Sequence, residues 1–75
     1  MQAEEIKNLI QNTISDAQVE VQVDGSHIAV TVVSTAFEGL SPVKKQQLVY
    51  SGLQDAIASG AIHAVQIKAL TPAQA

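Results

Sequence analysis

The chain contains no cysteine and no arginine, and its 75 residues include one tyrosine, one phenylalanine and two prolines. Without thiols there is no disulfide staple, no thiolate nucleophile and no zinc or iron–sulfur site supplied wholly by this chain. Metal chemistry would need histidine, carboxylate or a partner's sulfur. Four lysines stand against seven acidic residues, a formal net charge of −3 that weakens any general affinity for phosphate backbones. No apolar run approaches the roughly 20 residues of a membrane span, and the start Met1-Gln2-Ala3-Glu4-Glu5 is acidic. The expected address is therefore cytoplasmic, with no membrane association. Neither Gly-x-x-x-x-Gly-Lys nor Gly-x-Gly-x-x-Gly occurs, so nucleotide binding has no support. Ser26 and His27 are neighbours in sequence, yet no oriented acid, strained elbow or oxyanion donor accompanies them, which removes a hydrolase reading.

The side chains that are present, 47% of them hydrophobic, suffice for one core. A chain of this length buries only about 60% of its unfolded surface and has little room for an enclosed active site. A single domain over residues 1–75, acting as a non-enzymatic binding module, is the expectation. From Ala3 to Ile14 the residues Ile6, Leu9, Ile10 and Ile14 recur at helical spacing, with Glu4 and Glu5 where the helix dipole favours them. The period then becomes two. Val19, Val21 and Val23 alternate with polar residues, as do Ile28, Val30 and Val32 after Asp24-Gly25-Ser26, which predicts an antiparallel hairpin. The segment Ser34–Leu40 reads as an ordered connection with Phe37 packed. Ser41-Pro42 caps a second helix whose buried stripe is Val49, Leu53, Ala56 and Ile57, and Ser59-Gly60 ends it. Ile62 to Leu70 reads as a third strand, stopped by Thr71-Pro72 and followed by a further turn.

A strand–helix–strand crossover within one sheet is normally parallel. The starting ends of strands two and three then lie at one edge, and those ends carry both histidines, His27 and His63. Two imidazoles there suggest a metal site or a proton-linked switch. The plainer alternative makes His63, in phase with Val65 and Ile67, a core histidine and His27 a hairpin residue. Two histidines also underfill a four-ligand site, so external ligands must complete it. Lys44 and Lys45 fall in the first turn of the second helix. They form either a basic pair for an anionic partner or a solvated face.

Three stretches, Val33–Ser41, Val43–Tyr50 and Ile62–Pro72, resemble the BolA-like family in order and spacing. The run Val43-Lys44-Lys45-Gln46-Gln47 and the hairpin Asp24-Gly25-Ser26-His27 are similar to a bacterial branch of it; other branches usually have Arg-His in the second helix. The resemblance implies an α+β, class II KH-like fold: helix, strand, strand, helix, strand, with a three-stranded mixed sheet and the helices on one face. The Gly-x-x-Gly clamp of nucleic-acid-binding KH domains is missing. It further implies a partner, a monothiol glutaredoxin of the Cys-Gly-Phe-Ser type, with which such proteins can hold a [2Fe-2S] cluster. His63, in Ile62-His63-Ala64, matches the family's C-terminal histidine ligand and His27 its variable-loop ligand. The glutaredoxin cysteine and glutathione supply sulfur. Imidazole on one iron and thiolate on the other is sound chemistry that raises cluster potential. Lys44, Lys45 and the loop Phe37-Glu38-Gly39 are the candidate partner contacts. The alternative is a DNA-binding transcriptional regulator linked to stress response, against which the replacement of Arg-His counts. A metal-free stress-response interaction protein and a weak homodimer stay open.

Overall fold

Two runs of period two, joined through Asp24-Gly25, fold back on one another. The computed structural model describes residues 2–25, 27–62 and 64–75. Its elements are α1 (Ala3–Thr13), β1 (Gln18–Asp24), β2 (His27–Val33), a 3-10 turn at Thr35–Phe37, α2 (Pro42–Ala58) and β3 (Ala64–Leu70). β1 and β2 pair antiparallel from Gln18↔Val33 to Asp24↔His27. Gly25 at φ +63° supplies the left-handed conformation that tight hairpin turns need. β3 pairs parallel with the other edge of β2, from His27↔Ala64 to Val33↔Leu70, giving a mixed sheet of order β1-β2-β3. The α+β fold expected from the sequence is the one observed.

Strand alternation divides the sheet into two faces. Val19, Val21, Ile28, Val30, Val32, Val65, Ile67 and Ala69 pack toward the helices, while the intervening residues form an open face. Against the first face α1 presents Ile6, Ile10 and Ile14, spaced by four, and α2 presents Val49, Leu53 and Ala56. Phe37 and Ile62 complete the core, at 0% and 3% exposure. Full burial of each large apolar side chain contributes about 1.5–3 kcal/mol. The helices approach closely at Gly52, where a Cβ would stand 2.7 Å from Thr13 Oγ1 and 3.2 Å from the Leu9 carbonyl oxygen.

Both ends of α2 follow their sequence signals. Ser41 Oγ accepts from the Lys44 amide at 3.3 Å, with Pro42 at the first helical position. At the other end Gly60, at φ +81°, donates to the Ile57 carbonyl, and Ala61 donates to that of Ala56, a Schellman closure. Ile62 then donates to the same Ala56 carbonyl at 3.3 Å. That tie explains why β3 begins at Ala64 rather than Ile62, although Ile62 is buried as expected. α1 likewise ends one residue early, at Thr13, because Ile14 turns into extended backbone (φ −124°) while keeping its side chain in the core.

One tertiary clip has no counterpart in the sequence reading. The Asp16 carboxylate, between α1 and β1, accepts from the hydroxyls of Ser34 and Thr35 and from the Thr35 amide at 3.2 Å. Ser34 is itself 2% exposed, caps the 3-10 turn by accepting from the Ala36 amide, and donates its own amide to the Leu70 carbonyl. Asp16 thus ties the entry of β1 to the exit of β2 and, through Ser34, to the end of β3. The Ser34 hydroxyl foremost, then the Thr35 hydroxyl, hold the Asp16 carboxyl below its ordinary value of 3.8.

A carboxyl whose folded value is depressed stabilises the fold above its unfolded value, and that stability is lost as pH falls through the folded value. The midpoint of urea unfolding should therefore decline below about pH 4. Asp16→Asn should be less stable at neutral pH with a shallower acid decline; an acid limb identical to that of the unmodified protein would contradict the clip. Gly52→Val should cost about 1–3 kcal/mol in the same assay, because the helices cannot admit a branched side chain without separating.

Candidate functional site

The open face of the sheet is built in register rows. At one end Asp24, His27 and Ala64 lie side by side, and the next row is Gln22, Ala29 and Gln66. His27 is exposed. The two alanines leave a shallow cleft of about 260 Å³, with Gln22, Asp24, His27 and Gln66 around it. One imidazole, one carboxylate and two neutral carboxamides thus surround a space open to a partner. Among the described residues no group of three or more His, Cys, Asp or Glu side chains could hold a metal ion. His63, the other expected ligand, lies outside the described residues. Its chain neighbour Ala64 pairs with His27, one strand spacing of about 4.8 Å away.

An exposed imidazole at a sheet end is a donor that another molecule can approach.

The expected partner-contact residues divide. Lys44 is exposed, as are Glu38 and Gly39, the latter at φ +78°. Phe37 has no exposure at all, so its side chain belongs to the core and offers a partner nothing; the sequence reading of it as packed holds, and its use as a contact does not. Lys45 is 9% exposed and its Nζ donates to Gln74 Oε1 at 3.0 Å. The two lysines are therefore not an equivalent basic pair. The sequence carried that signal: Lys45, Val49 and Leu53 are spaced by four, which puts Lys45 on the buried stripe of α2 with its aliphatic stem packed and its amine at the margin.

These elements also lie far from His27. The 37–39 loop and the start of α2 follow the last residue of β2, and Lys45 meets the turn that follows β3. Seven-residue strands separate that end from His27, a span of about 20 Å. The imidazole and the lysines do not form one site.

Phe37→Ala should destabilise the fold by about 3–5 kcal/mol, whereas Lys44→Ala should leave stability within about 0.5 kcal/mol. Chemical denaturation separates these outcomes. A near-neutral Phe37→Ala would mean that its side chain is not part of the core.

The family described as BolA-like protein matches residues 4–74. The acid stress protein IbaG of Escherichia coli K12 is 49% identical over 74 residues, covering 99% of this chain and 88% of that protein. Among solved structures, BolA1 from Arabidopsis thaliana superposes with a TM-score of 0.84 at 28% identity, covering 97% of this chain and 94% of that one. The BolA domain of SufE1 from the same plant gives 0.83 at 32% identity over 100% and 99% of the two chains. The family and the bacterial branch expected from the sequence are the ones found. With the family matched over residues 4–74 and 49% identity to the Escherichia coli acid stress protein over nearly its whole length, the chain belongs to the BolA-like protein family.

Proposed function

We propose that this protein is a non-enzymatic adaptor that binds a monothiol glutaredoxin and helps hold, transfer or sense a [2Fe-2S] cluster. The observation that carries this reading is the exposed imidazole of His27 on an open sheet face, directly opposite the residue that follows His63, without enough described ligands for a site of its own. Such an arrangement is half of a coordination sphere. In this proposal the other half is thiolate from a glutaredoxin cysteine and glutathione, the donors that the family resemblance implies, because this chain has no cysteine of its own. Imidazole donors on one iron leave the cluster more oxidising than an all-thiolate one and couple its ligation to protons, because the ring must be deprotonated at the ligating nitrogen. Those properties suit a sensing or relay role. The designation of the Escherichia coli relative as an acid stress protein is compatible with a role in stress physiology for this chain.

Lys44, with the exposed Glu38-Gly39 segment, extends the proposed contact to the far end of the sheet. DNA binding is the weaker reading. The basic turn expected for it holds only one fully presented lysine, and the formal net charge is −3.

Mixing the protein with a Cys-Gly-Phe-Ser glutaredoxin, glutathione and a cluster source should give a visible circular dichroism spectrum distinct from that of the glutaredoxin alone. His27→Ala and His63→Ala should each alter that spectrum while the far-ultraviolet spectrum is retained. Identical visible spectra for the unmodified protein and both variants would remove the histidines from the mechanism.

A further inference from the structure

The turn that follows β3 is organised by one side-chain atom. Gln74 Oε1 accepts from the Thr71 amide at 2.9 Å, from the Thr71 hydroxyl at 3.2 Å and from Lys45 Nζ at 3.0 Å. The Gln74 and Ala75 amides donate back to the Thr71 carbonyl. Thr71-Pro72-Ala73-Gln74 thus keeps one half of a helix-start box, the Gln74 side chain reaching back to the Thr71 amide, with a lysine from α2 as an additional donor. Lys45 is nine-tenths buried, and its ammonium donates to a neutral carboxamide, that of Gln74. Gln74 itself is exposed, so little packing is lost when it swings away.

We propose that the 71–75 turn is an intramolecular strap that sequesters Lys45 and competes with an acidic partner segment for it. A carboxylate makes a charge-assisted, opposite-charge hydrogen bond to an ammonium, stronger than the bond a carboxamide makes. An acidic segment approaching Lys44 therefore displaces Gln74, and the first turn of α2 changes from one presented cation to two. The coupling is reciprocal: whatever tightens the strap weakens the partner by the same factor, and whatever loosens it does the reverse. The competitor's identity rests on the partner surface proposed above, whereas the sequestration of Lys45 stands on the hydrogen bonds and burial alone.

The test has two arms. In the first, the intact protein is acetylated with a limiting amine reagent and each lysine is followed by mass spectrometry. Lys45 should react about tenfold more slowly than Lys44, the equilibrium equivalent of one charge-assisted hydrogen bond. Gln74→Ala should bring Lys45 close to the rate of Lys44, and Gln74→Glu should slow it further, with Lys7 and Lys68 unchanged in both. Equal rates for Lys44 and Lys45 in the unmodified protein, or a Lys45 that stays protected in Gln74→Ala, would overturn the strap. In the second arm a hexaglutamate peptide is titrated against the three proteins at low salt. Binding should tighten severalfold for Gln74→Ala and weaken for Gln74→Glu. Equal affinity for all three would overturn the competition. Binding to none of them, with the reactivity contrast intact, would instead overturn the acidic-partner surface and the competition that depends on it.

Discussion

Because α2 carries the chain from the end of β2 back to the start of β3, the two strands run the same way and their first residues, His27 and Ala64, become neighbours. The rest of the molecule depends on that return. β2 becomes the central strand, with Ile28, Val30 and Val32 beneath both helices. The open face acquires a polar, histidine-bearing end, and the two termini of the crossover fall at opposite ends of the sheet. Had β3 paired antiparallel, Leu70 rather than Ala64 would lie beside His27, and the imidazole would stand far from Ile62-His63-Ala64.

That geometry divides the proposed labour along the sheet. The proposed ligation belongs to the hairpin end, where exposed polar side chains surround the cleft beside His27. The proposed electrostatic contact belongs to the α2 end, where Lys44 is exposed and Lys45 is buried. The Asp16 clip reinforces the α2 end by joining the exits of β2 and β3 through Ser34. The buried Phe37 immediately after that clip fixes the path of the loop that displays Glu38 and Gly39. Core packing and three hydrogen bonds to the Asp16 carboxylate hold that segment in place.

The elements that rest on local rules were legible in the sequence. Helical spacing in α1, alternation in β1 and β2, the Ser41-Pro42 cap and the Gly60 stop each act within a few residues, and each appears where its signal stands. The family resemblance and the parallel crossover extended that reading to the sheet order. What escaped depends on pairs far apart in the chain. Nothing near Asp16 announces Ser34 and Thr35, and nothing near Lys45 announces Gln74, because such hydrogen bonds exist only after the layers have packed. The mixed standing of Phe37 and Lys45 has the same origin: a motif tells which residues recur together, and burial decides which side chains remain available. The short offset of β3 has a local cause, since the turn that closes α2 holds the Ile62 amide on the Ala56 carbonyl before the strand begins.

The sheet order also constrains the moment at which the protein can fold. On a ribosome β1 and β2 emerge together, and a two-stranded hairpin is marginal on its own. Until residues 64–70 are available, the second edge of β2, Ile28-Ala29-Val30-Thr31-Val32-Val33, stays unpaired, and such a β-branched, uncharged stretch is the kind that pairs with other nascent chains. Parallel closure across a helix is a long-range event and slow compared with hairpin zipping. The arrival of residues 64–70 therefore decides between a completed sheet and an adhesive one, and loss of β3 converts the central strand into an aggregation template.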